Sequence, residues 1–185
     1  MGNTLDGKEL LPDQAALAVC SVDRGDAHWM VNAAAGAEAV HCPACGVRST
    51  ARHSSYLRHL KDLPLQGRAV KLTVRVGRWR CRNPNCKRRI FCQRLDRVTH
   101  KHARETRRFG EVIQQIGYAL GGRPGERLSG RLGFPVSNDT LLGHVKRSAR
   151  FHAPPGPIGV LGVDEWAWRK GYSGKGRSWW ICSGG

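Results

Sequence analysis

His41-Cys42-Pro43-Ala44-Cys45-Gly46 is the first of two short cysteine turns around which the chain is organised, and Cys81-Arg82-Asn83-Pro84-Asn85-Cys86 is the second. Each turn supplies a pair of thiols, and a strand-rich segment separates the two pairs. Structural Zn²⁺ sites prefer four tetrahedral thiolates, and two cysteine turns joined through strands form a zinc ribbon. Free buried cysteines are the alternative, but they would not fall into two paired turns that each contain proline. The spacing therefore predicts a structural Zn²⁺ bound by Cys42, Cys45, Cys81 and Cys86.

Other side chains compete for a ligand position, namely Cys92, His41, His53 and His59. Cys92 lies on a predicted strand after the second turn, and we interpret it as a bystander. The histidines are interpreted as surface or phosphate-contacting groups. The chain has seven cysteines, and none of its segments resembles an export signal, so we expect metal binding in preference to a disulfide framework.

Positive charge is concentrated in one part of the chain. The sequence has 31 Lys and Arg against 14 Asp and Glu, a formal net charge of +17. Residues 1–40 hold two basic and six acidic side chains, whereas residues 68–108 hold fifteen basic side chains and two acidic ones. A solvated surface normally mixes both signs, so this asymmetry favours a polyanion as partner. A membrane surface is disfavoured because no basic amphipathic helix with a large apolar face is visible.

Strands are predicted on both sides of the first cysteine turn. Residues 17–35 read as a strand pair around Arg24–Ala27. From Ala69 to Val76 apolar residues alternate with polar ones, which predicts a half-buried strand with a basic outer face. Gly77 is expected to interrupt that strand. The stretch from Tyr56 to Leu65 has no clear pattern.

Beyond Cys92 the apolar period becomes helical. A first helix is predicted from about Ala103, with an apolar stripe that includes Tyr118 and Leu120 and an end at Gly121–Pro124. A short helix over Glu126–Leu132 and a third over Asp139–Ala149 complete a predicted helix-turn-helix, with Leu141, Leu142 and Val145 inward. A three-helix bundle without a nucleic-acid partner is the alternative. The last helix would be the recognition helix, with these polar side chains: Asn138, Thr140, His144, Lys146 and Arg147.

Further DNA contacts are predicted from the basic segments that precede the helices. Phosphate contacts position a protein on DNA without reading its sequence. The predicted residues are Arg78, Arg80, Lys87, Arg88, Arg89, Lys101, Arg104, Arg107 and Arg108.

A final buried strand is predicted over residues 158–163, ending at Asp164, after a stiff linker rich in proline, residues 153–157. In RNase-H-like nucleases a carboxylate at such a position holds one of two Mg²⁺ ions. Residues 158–185 are expected to be poorly ordered, because the strand would lack sheet partners.

Together these segments resemble the ISL-three family of insertion-sequence transposases, from about residue 15 to Gly171. Members of this DDE-type family open with a zinc ribbon, continue through a helix-turn-helix and end in an RNase-H-like catalytic domain. The resemblance is carried by His41–Gly46, Arg78–Cys86 with Phe91, Thr106–Phe109 and Val160–Gly171. It implies that Asp164 is the first catalytic Asp; the second Asp and the Glu have no counterpart, so the chain is expected to be catalytically inactive. Mg²⁺ would belong only to the intact catalytic domain.

The resemblance stops after Gly171, where the chain ends in a tail containing Ser178-Trp179-Trp180-Ile181-Cys182. Tryptophan has a single codon, so the shifted reading frame can be inferred. It encodes an apolar residue, then Val, Asp and Leu or Met, as the family has there. We infer a frameshift near residues 173–177 that truncated the protein.

The predicted fold class is therefore α+β: a zinc ribbon, an all-α helix-turn-helix and the first strand of an incomplete RNase-H-like domain. The predicted segments are a strand pair (1–40), the four-cysteine zinc ribbon (41–95), the helix-turn-helix (96–152), linker and first catalytic strand (153–172), and the out-of-frame tail (173–185).

The function implied is recognition of an element's terminal inverted repeats in duplex DNA by a bacterial, cytoplasmic, nucleoid-associated protein. A second copy or a full-length transposase is a candidate partner, and a membrane is not expected. A zinc-ribbon and helix-turn-helix transcription regulator is the main alternative, and an RNA- or protein-binding scaffold is a third.

Overall fold

The computed structural model describes residues 11–150 in full and the backbone of residues 160–167 and 175–182. The chain divides into two compact units, Met1–Arg147 and Ser148–Gly185, and each is described by itself. None of the helices in the described part of the chain is long and apolar enough to cross a membrane.

A five-stranded sheet forms the centre of the first unit, in the order β1-β2-β6-β5 with the short β7 paired to β6. β2 and β6 run parallel, and the other neighbours are antiparallel. A two-stranded ribbon, β3 with β4, lies in the crossover between β2 and β6. The strands are β1 Leu17–Arg24, β2 His28–Ala35, β3 Val40–His41, β4 Arg48–Ser49, β5 Arg52–Leu65, β6 Arg68–Arg80 and β7 Ile90–Cys92.

The alternation predicted for β6 is present. Val70, Leu72, Val74 and Val76 are buried on one face, whereas Lys71 and Arg75 are exposed on the other. The buried face packs against Val31 and Ala33 of β2, Leu60 of β5, and Leu95 and Val98 after β7. The prediction that Gly77 interrupts the strand is wrong, because β6 continues to Arg80. A Cβ at residue 77 would lie 2.7 Å from Nε1 of Trp79, so the glycine makes room for the indole.

β5 covers the stretch that had no clear pattern. Its core-facing positions include Arg58 and Asp62, opposite Val74 and Val70 of β6. Two charged residues on the inward face break the apolar alternation by which a strand is recognised. This strand therefore cannot be recognised from the sequence pattern, although its side chains alternate in burial.

The predicted strand pair of residues 17–35 forms β1 and β2. The sequence predicts this pair as a segment apart from the ribbon, whereas β2 pairs with β6 over residues 28–34. Its two strands therefore join the same sheet as the strands between the cysteine turns. An isolated two-stranded hairpin is only marginally stable in water. The pairing with β6 extends this hairpin into a larger sheet.

Three helices follow: α1 Arg107–Leu120, α2 Gly122–Arg131 and α3 Asn138–Ala149. α1 begins later than predicted, because the backbone before Thr106 is bonded to β5 through Lys61. α2 begins four residues earlier than predicted, directly after Gly121. The helices enclose a second core containing Phe109, Ile113, Phe134, Val136 and Leu141, with the two phenyl rings edge to face at 5.7 Å.

Three residues predicted to face inward are exposed. Tyr118 and Leu120 at the end of α1 are 48% and 42% exposed, and Leu142 of α3 is 37% exposed. The first two lie beyond the part of α1 that contacts the core, which ends at Gly117. A helical period alone does not show where the partner surface ends.

The second unit contains an antiparallel hairpin, β8 Val160–Ala167 with β9 Lys175–Cys182. The prediction of a lone strand ending at Asp164 is wrong on both points. β8 continues for three residues past Asp164, and the tail segment supplies the strand that pairs with it. The predicted linker, residues 153–157, lies outside the described residues.

Candidate zinc centre and nucleic-acid interface

The first cysteine turn is closed by backbone hydrogen bonds. The Cys42 amide donates to the carbonyl oxygen of Val47 at 3.0 Å, and the Gly46 amide donates to that of Cys42 at 2.8 Å. Gly46 has a φ of 73°, a conformation that costs glycine little. The bend directs the Cys42 and Cys45 side chains toward the second turn.

The second turn is closed by backbone hydrogen bonds between residues of the same loop, Cys81 to Arg89. The Cys81 amide donates to the Arg89 carbonyl at 2.8 Å, and the Cys86 amide donates to the Asn83 carbonyl at 3.2 Å. The side chain of Asn83 accepts from the amide of Asn85 at 3.0 Å. An asparagine that bonds two residues ahead stabilises a tight turn without regular structure.

The four sulfurs form one cluster. The Sγ atoms of Cys42 and Cys86 are 4.0 Å apart, those of Cys45 and Cys81 are 3.6 Å apart, and all four lie within 4.8 Å of one another. A tetrahedral Zn²⁺ with bonds of about 2.3 Å places its sulfurs about 3.8 Å apart. The donor set and its geometry therefore fit a structural zinc ion, with no position left for a substrate.

The thiol pKa values differ within the cluster. The pKa of Cys45 is lowered to about 7, chiefly by the backbone amide of Val47. The pKa of Cys81 is raised to about 12: the amide of Asn83 lowers it, but desolvation and the neighbouring thiols outweigh that effect. Thiolates this close repel one another, and a divalent cation compensates this repulsion.

Apolar side chains pack around the cluster. Trp79 and Phe91, each 3% exposed, pair across β6 and β7 and contact the buried cysteines. Ser49 links the two cysteine turns, because its hydroxyl donates to the Arg80 carbonyl at 2.6 Å. The zinc centre is thus attached to the end of the longest pair of strands.

The competing ligands lie elsewhere. Cys92 is exposed at the end of β7, and His41 is exposed beside the first turn. His53 bonds to Ser54 and His59 bonds to Thr73. Among the described residues, the cluster of Cys42, Cys45, Cys81 and Cys86 is the one that could hold a metal ion.

The basic residues predicted around the second turn are all exposed: Arg78, Arg80, Lys87, Arg88 and Arg89. The guanidinium of Arg78 lies over the ring of Tyr56, 5.1 Å from its centroid. The turn therefore presents its cations to solvent, as a contact with phosphates requires.

The residues predicted in front of α1 divide into two groups. Lys101, Arg104 and Arg107 are exposed, although Arg107 also donates to the backbone carbonyl of Asp96 at 2.8 Å. Arg108 instead binds the buried carboxylate of Asp62, with Nη2 to Oδ2 at 2.6 Å and Nε to Oδ1 at 2.8 Å. Arg108 therefore joins α1 to β5, and its contact with a phosphate stays a prediction.

The residues predicted on α3 also divide. Thr140, Lys146 and Arg147 are exposed, and Asn138 is half-buried beside Gly122. The His144 side chain is only 11% exposed, and its Nε2 lies 2.9 Å from Oε1 of Glu105. His144 thus faces the loop before α1, where a carboxylate of the protein is its partner, and its contact with DNA stays a prediction.

Two features were not identified from the sequence. Asp62 is the first, because its partners Thr106 and Arg108 lie more than forty positions away in the chain. Arg123, Arg127 and Arg131 are the second: they are spaced by four residues along α2 and all are exposed. That spacing places them on one helical face and was available in the sequence.

Asp164 lies within β8, opposite Ser178 of β9. Its assignment as a catalytic carboxylate stays a prediction from the sequence resemblance.

Comparison with known proteins connects the ribbon to transposases. Residues 38–86 match the family model of the zinc-finger of transposase IS204/IS1001/IS1096/IS1165. The matched segment contains both cysteine turns and the two long strands between them. Searches of curated proteins and of solved structures found no match. The zinc-ribbon match supports an ISL-three-type transposase N-terminal region in this chain.

Proposed function

We propose that this chain is the zinc- and DNA-binding N-terminal part of an ISL-three-type transposase, and that it recognises the terminal inverted repeats of its insertion sequence. The observation that carries the proposal is the four-thiol cluster inside a segment matching a transposase zinc finger. The surrounding surface is strongly cationic, as a phosphate-binding surface must be.

The three helices support a helix-turn-helix role. α2 ends at Arg131, Gly133 turns the chain with a φ of 84°, and Ser137 caps α3 by accepting from the Thr140 amide at 3.4 Å. In a helix-turn-helix the second helix of the pair enters the major groove while the first crosses the backbone. α3 would then read bases, and α2 would bind phosphates.

The exposed residues fit this division of labour. Thr140, Lys146 and Arg147 of α3 are accessible to base edges, whereas the arginine face of α2 is suited to phosphates. His144 and Arg108 are left out of the interface because carboxylates of the protein engage them.

Zinc serves this function indirectly. It would fix the relative positions of Cys42, Cys45, Cys81 and Cys86, and thereby the cationic turn between Cys81 and Arg89. In the family's catalytic domain Asp164 would be the first carboxylate of a Mg²⁺ site, a proposal that rests on the resemblance of Val160–Gly171 alone. A DNA partner would place the protein on the bacterial nucleoid, where a second copy or a full-length transposase is the proposed protein partner.

A competition titration tests the proposal. Fluorescence anisotropy would compare a duplex of the repeats that flank the gene with a shuffled duplex of the same composition, each at several salt concentrations. We expect tighter binding to the repeat and a log–log salt slope of about −0.9 for each phosphate contact. Equal affinity for both duplexes would contradict repeat recognition; preference for an unrelated promoter would favour the transcription regulator instead.

A further inference from the structure

A groove of about 700 Å³ lies between β5, β7 and the segment that leads from β7 to α1. Six of its lining side chains are exposed and basic or imidazole, and a single carboxylate, Asp96, accompanies them. They are His59, Arg88, Arg94, Lys101, His102 and Arg104. The groove is thus far more cationic than a mixed solvated surface.

The wall that carries the last three of these residues is fixed in place. Nη2 of Arg58 donates to the hydroxyl of Thr99 at 3.3 Å and to the carbonyls of His100 and Ala103 at 2.7 and 2.9 Å. The Lys61 amide donates to the Arg104 carbonyl at 2.9 Å. Because Lys101 and Arg104 lie on a segment held this way, they lose less conformational entropy when they bind an anion.

The groove also presents apolar surface. Leu57 and Ile90 are 55% and 46% exposed, and the half-buried Tyr56 ring lies among them. A small anion would leave these side chains in water. A nucleic-acid strand, in contrast, offers phosphates to the cations, and it offers sugar edges, or the base faces of an unpaired segment, to the apolar side chains.

We propose that this groove binds the phosphodiester backbone of one nucleic-acid strand, at a place separate from α3. Its volume is that of a site for a drug-sized ligand, so it holds a short piece of one strand and excludes a whole duplex. The strand comes either from one edge of a bound duplex or from an unpaired end. This inference rests on the proposed DNA-binding function and adds a second contact region to it.

Cys92 provides a direct probe, because it lines the groove and is exposed. The zinc-loaded full chain would be treated with a thiol-alkylating reagent, alone and with saturating DNA, and Cys92 modification followed by peptide mass spectrometry. Cys20 is the matched control, an exposed free thiol on β1 that does not line the groove. We expect DNA to slow alkylation of Cys92 several-fold and to leave that of Cys20 unchanged. Equal alkylation rates at Cys92 with and without DNA would contradict the proposal that the groove binds a strand.

A charge-matched pair of variants gives an independent readout. Lys101→Gln with Arg104→Gln removes two charges from the groove, and Lys71→Gln with Arg75→Gln removes two from the exposed face of β6. The groove variant should flatten the salt slope by about 1.4–1.8, since each phosphate contributes about 0.7 for a single strand and 0.9 for a duplex. The β6 variant should keep the wild-type slope. Identical slopes for both variants would contradict strand binding in the groove.

Three DNA substrates identify the source of the strand: a single-stranded oligonucleotide, a blunt duplex, and a duplex with a single-stranded overhang. Protection of Cys92 by the blunt duplex assigns a duplex edge, and protection only by the other two assigns an unpaired end. Failure of the wild-type protein to bind any of the three would refute the proposed function itself. Normal binding without protection of Cys92 would refute the groove alone.

Discussion

Asp62 is the residue on which the junction between sheet and helices depends. Its carboxylate accepts from the Thr106 hydroxyl at 2.6 Å and from Arg108, while its own side chain is only 2% exposed. Thr106 in turn caps α1 by accepting from the Phe109 amide at 3.3 Å. A single buried carboxylate therefore links β5, the helix cap and the first turn of α1.

Replacing this carboxylate should be costly. Asp62→Asn turns an amide donor toward Arg108 and removes the negative charge that the Asp62 carboxylate places beside the guanidinium. Because Arg108 is 34% exposed, we expect a loss of about 2 kcal/mol in the free energy of unfolding, below the cost for a fully buried pair. Urea denaturation measures it, with the exposed Asp96→Asn as control; equal stability of the two variants would contradict the linking role.

Glu105 should make stability depend on acid. The pKa of its carboxyl is lowered, first by the hydrogen bond from His144 and then by the charges of His144, Arg147 and Lys61. A lowered pKa in the folded state contributes stability above the ordinary glutamate value, and this contribution disappears as the pH falls through the folded value. Glu105→Gln should therefore cost roughly 0.5–1 kcal/mol at neutral pH and less at pH 3.

Urea midpoints at both pH values check this expectation. The matched control is Glu111→Gln, since Glu111 is exposed on α1. A loss for Glu105→Gln that is the same at pH 7 and pH 3 would refute the assignment.

At the residue scale, the zinc ligands were predictable and the internal ion pairs were not. The cysteines lie in short turns whose spacing carries the chemistry. Arg108 and His144 have the residue types of a DNA contact, but each has its partner carboxylate far away in the chain. Pairs between residues this far apart in the chain cannot be predicted from the local sequence.

At the scale of elements, the turn between α2 and α3 meets the turn between β5 and β6. A Cβ at Gly133 would overlap the carbonyl oxygen of Gly67, and the φ of Gly133 is 84°. Gly133→Ala should therefore destabilise the protein by about 2 kcal/mol or more, from both the contact and the backbone conformation.

Gly130 is the matched control for this substitution. It lies in α2 with open space around its Cβ position, so Gly130→Ala should stabilise the helix by about 0.5–1 kcal/mol. Thermal unfolding of both variants makes the comparison. A neutral Gly133→Ala would mean that the two turns do not touch.

Periodicity identified β6 and all three helices, but missed β5 and misplaced two helix starts. β6 alternates cleanly because apolar side chains line its buried face and polar ones its exposed face. β5 carries charges on its inward face, and the start of α1 depends on bonds to a distant strand. A local sequence pattern identifies a strand or helix only where each of its faces has a single character, apolar or polar, along its whole length.

At the scale of the whole molecule, zinc should decide whether the ribbon is folded. The cluster needs four deprotonated thiols, so affinity for zinc should fall as the pH is lowered. Cys42→Ser or Cys81→Ser should lose the single bound zinc and lower the melting temperature. Cys92→Ser should keep the bound zinc and the wild-type melting temperature. Inductively coupled plasma mass spectrometry measures the zinc content, and thermal scans measure the melting temperature. Full zinc content in Cys81→Ser would contradict the ligand assignment.

The parallel pairing of β2 with β6 is the part of the global fold that the sequence did not reveal. The two strands are separated by the first cysteine turn and by β5, so their pairing is a long-range event without a local signal. The ribbon is consequently built onto a larger sheet that includes the N-terminal strand pair. Its cationic surface is held by that sheet as well as by the metal.

The most direct test of the central claim is a footprint of the zinc-loaded chain on DNA that contains its own gene and the flanking sequence. We predict protection of the inverted repeats at the two ends of the element, and we predict that this protection is lost when Cys81 is replaced by serine. Protection confined to an unrelated promoter, or unaltered protection by Cys81→Ser, would contradict it.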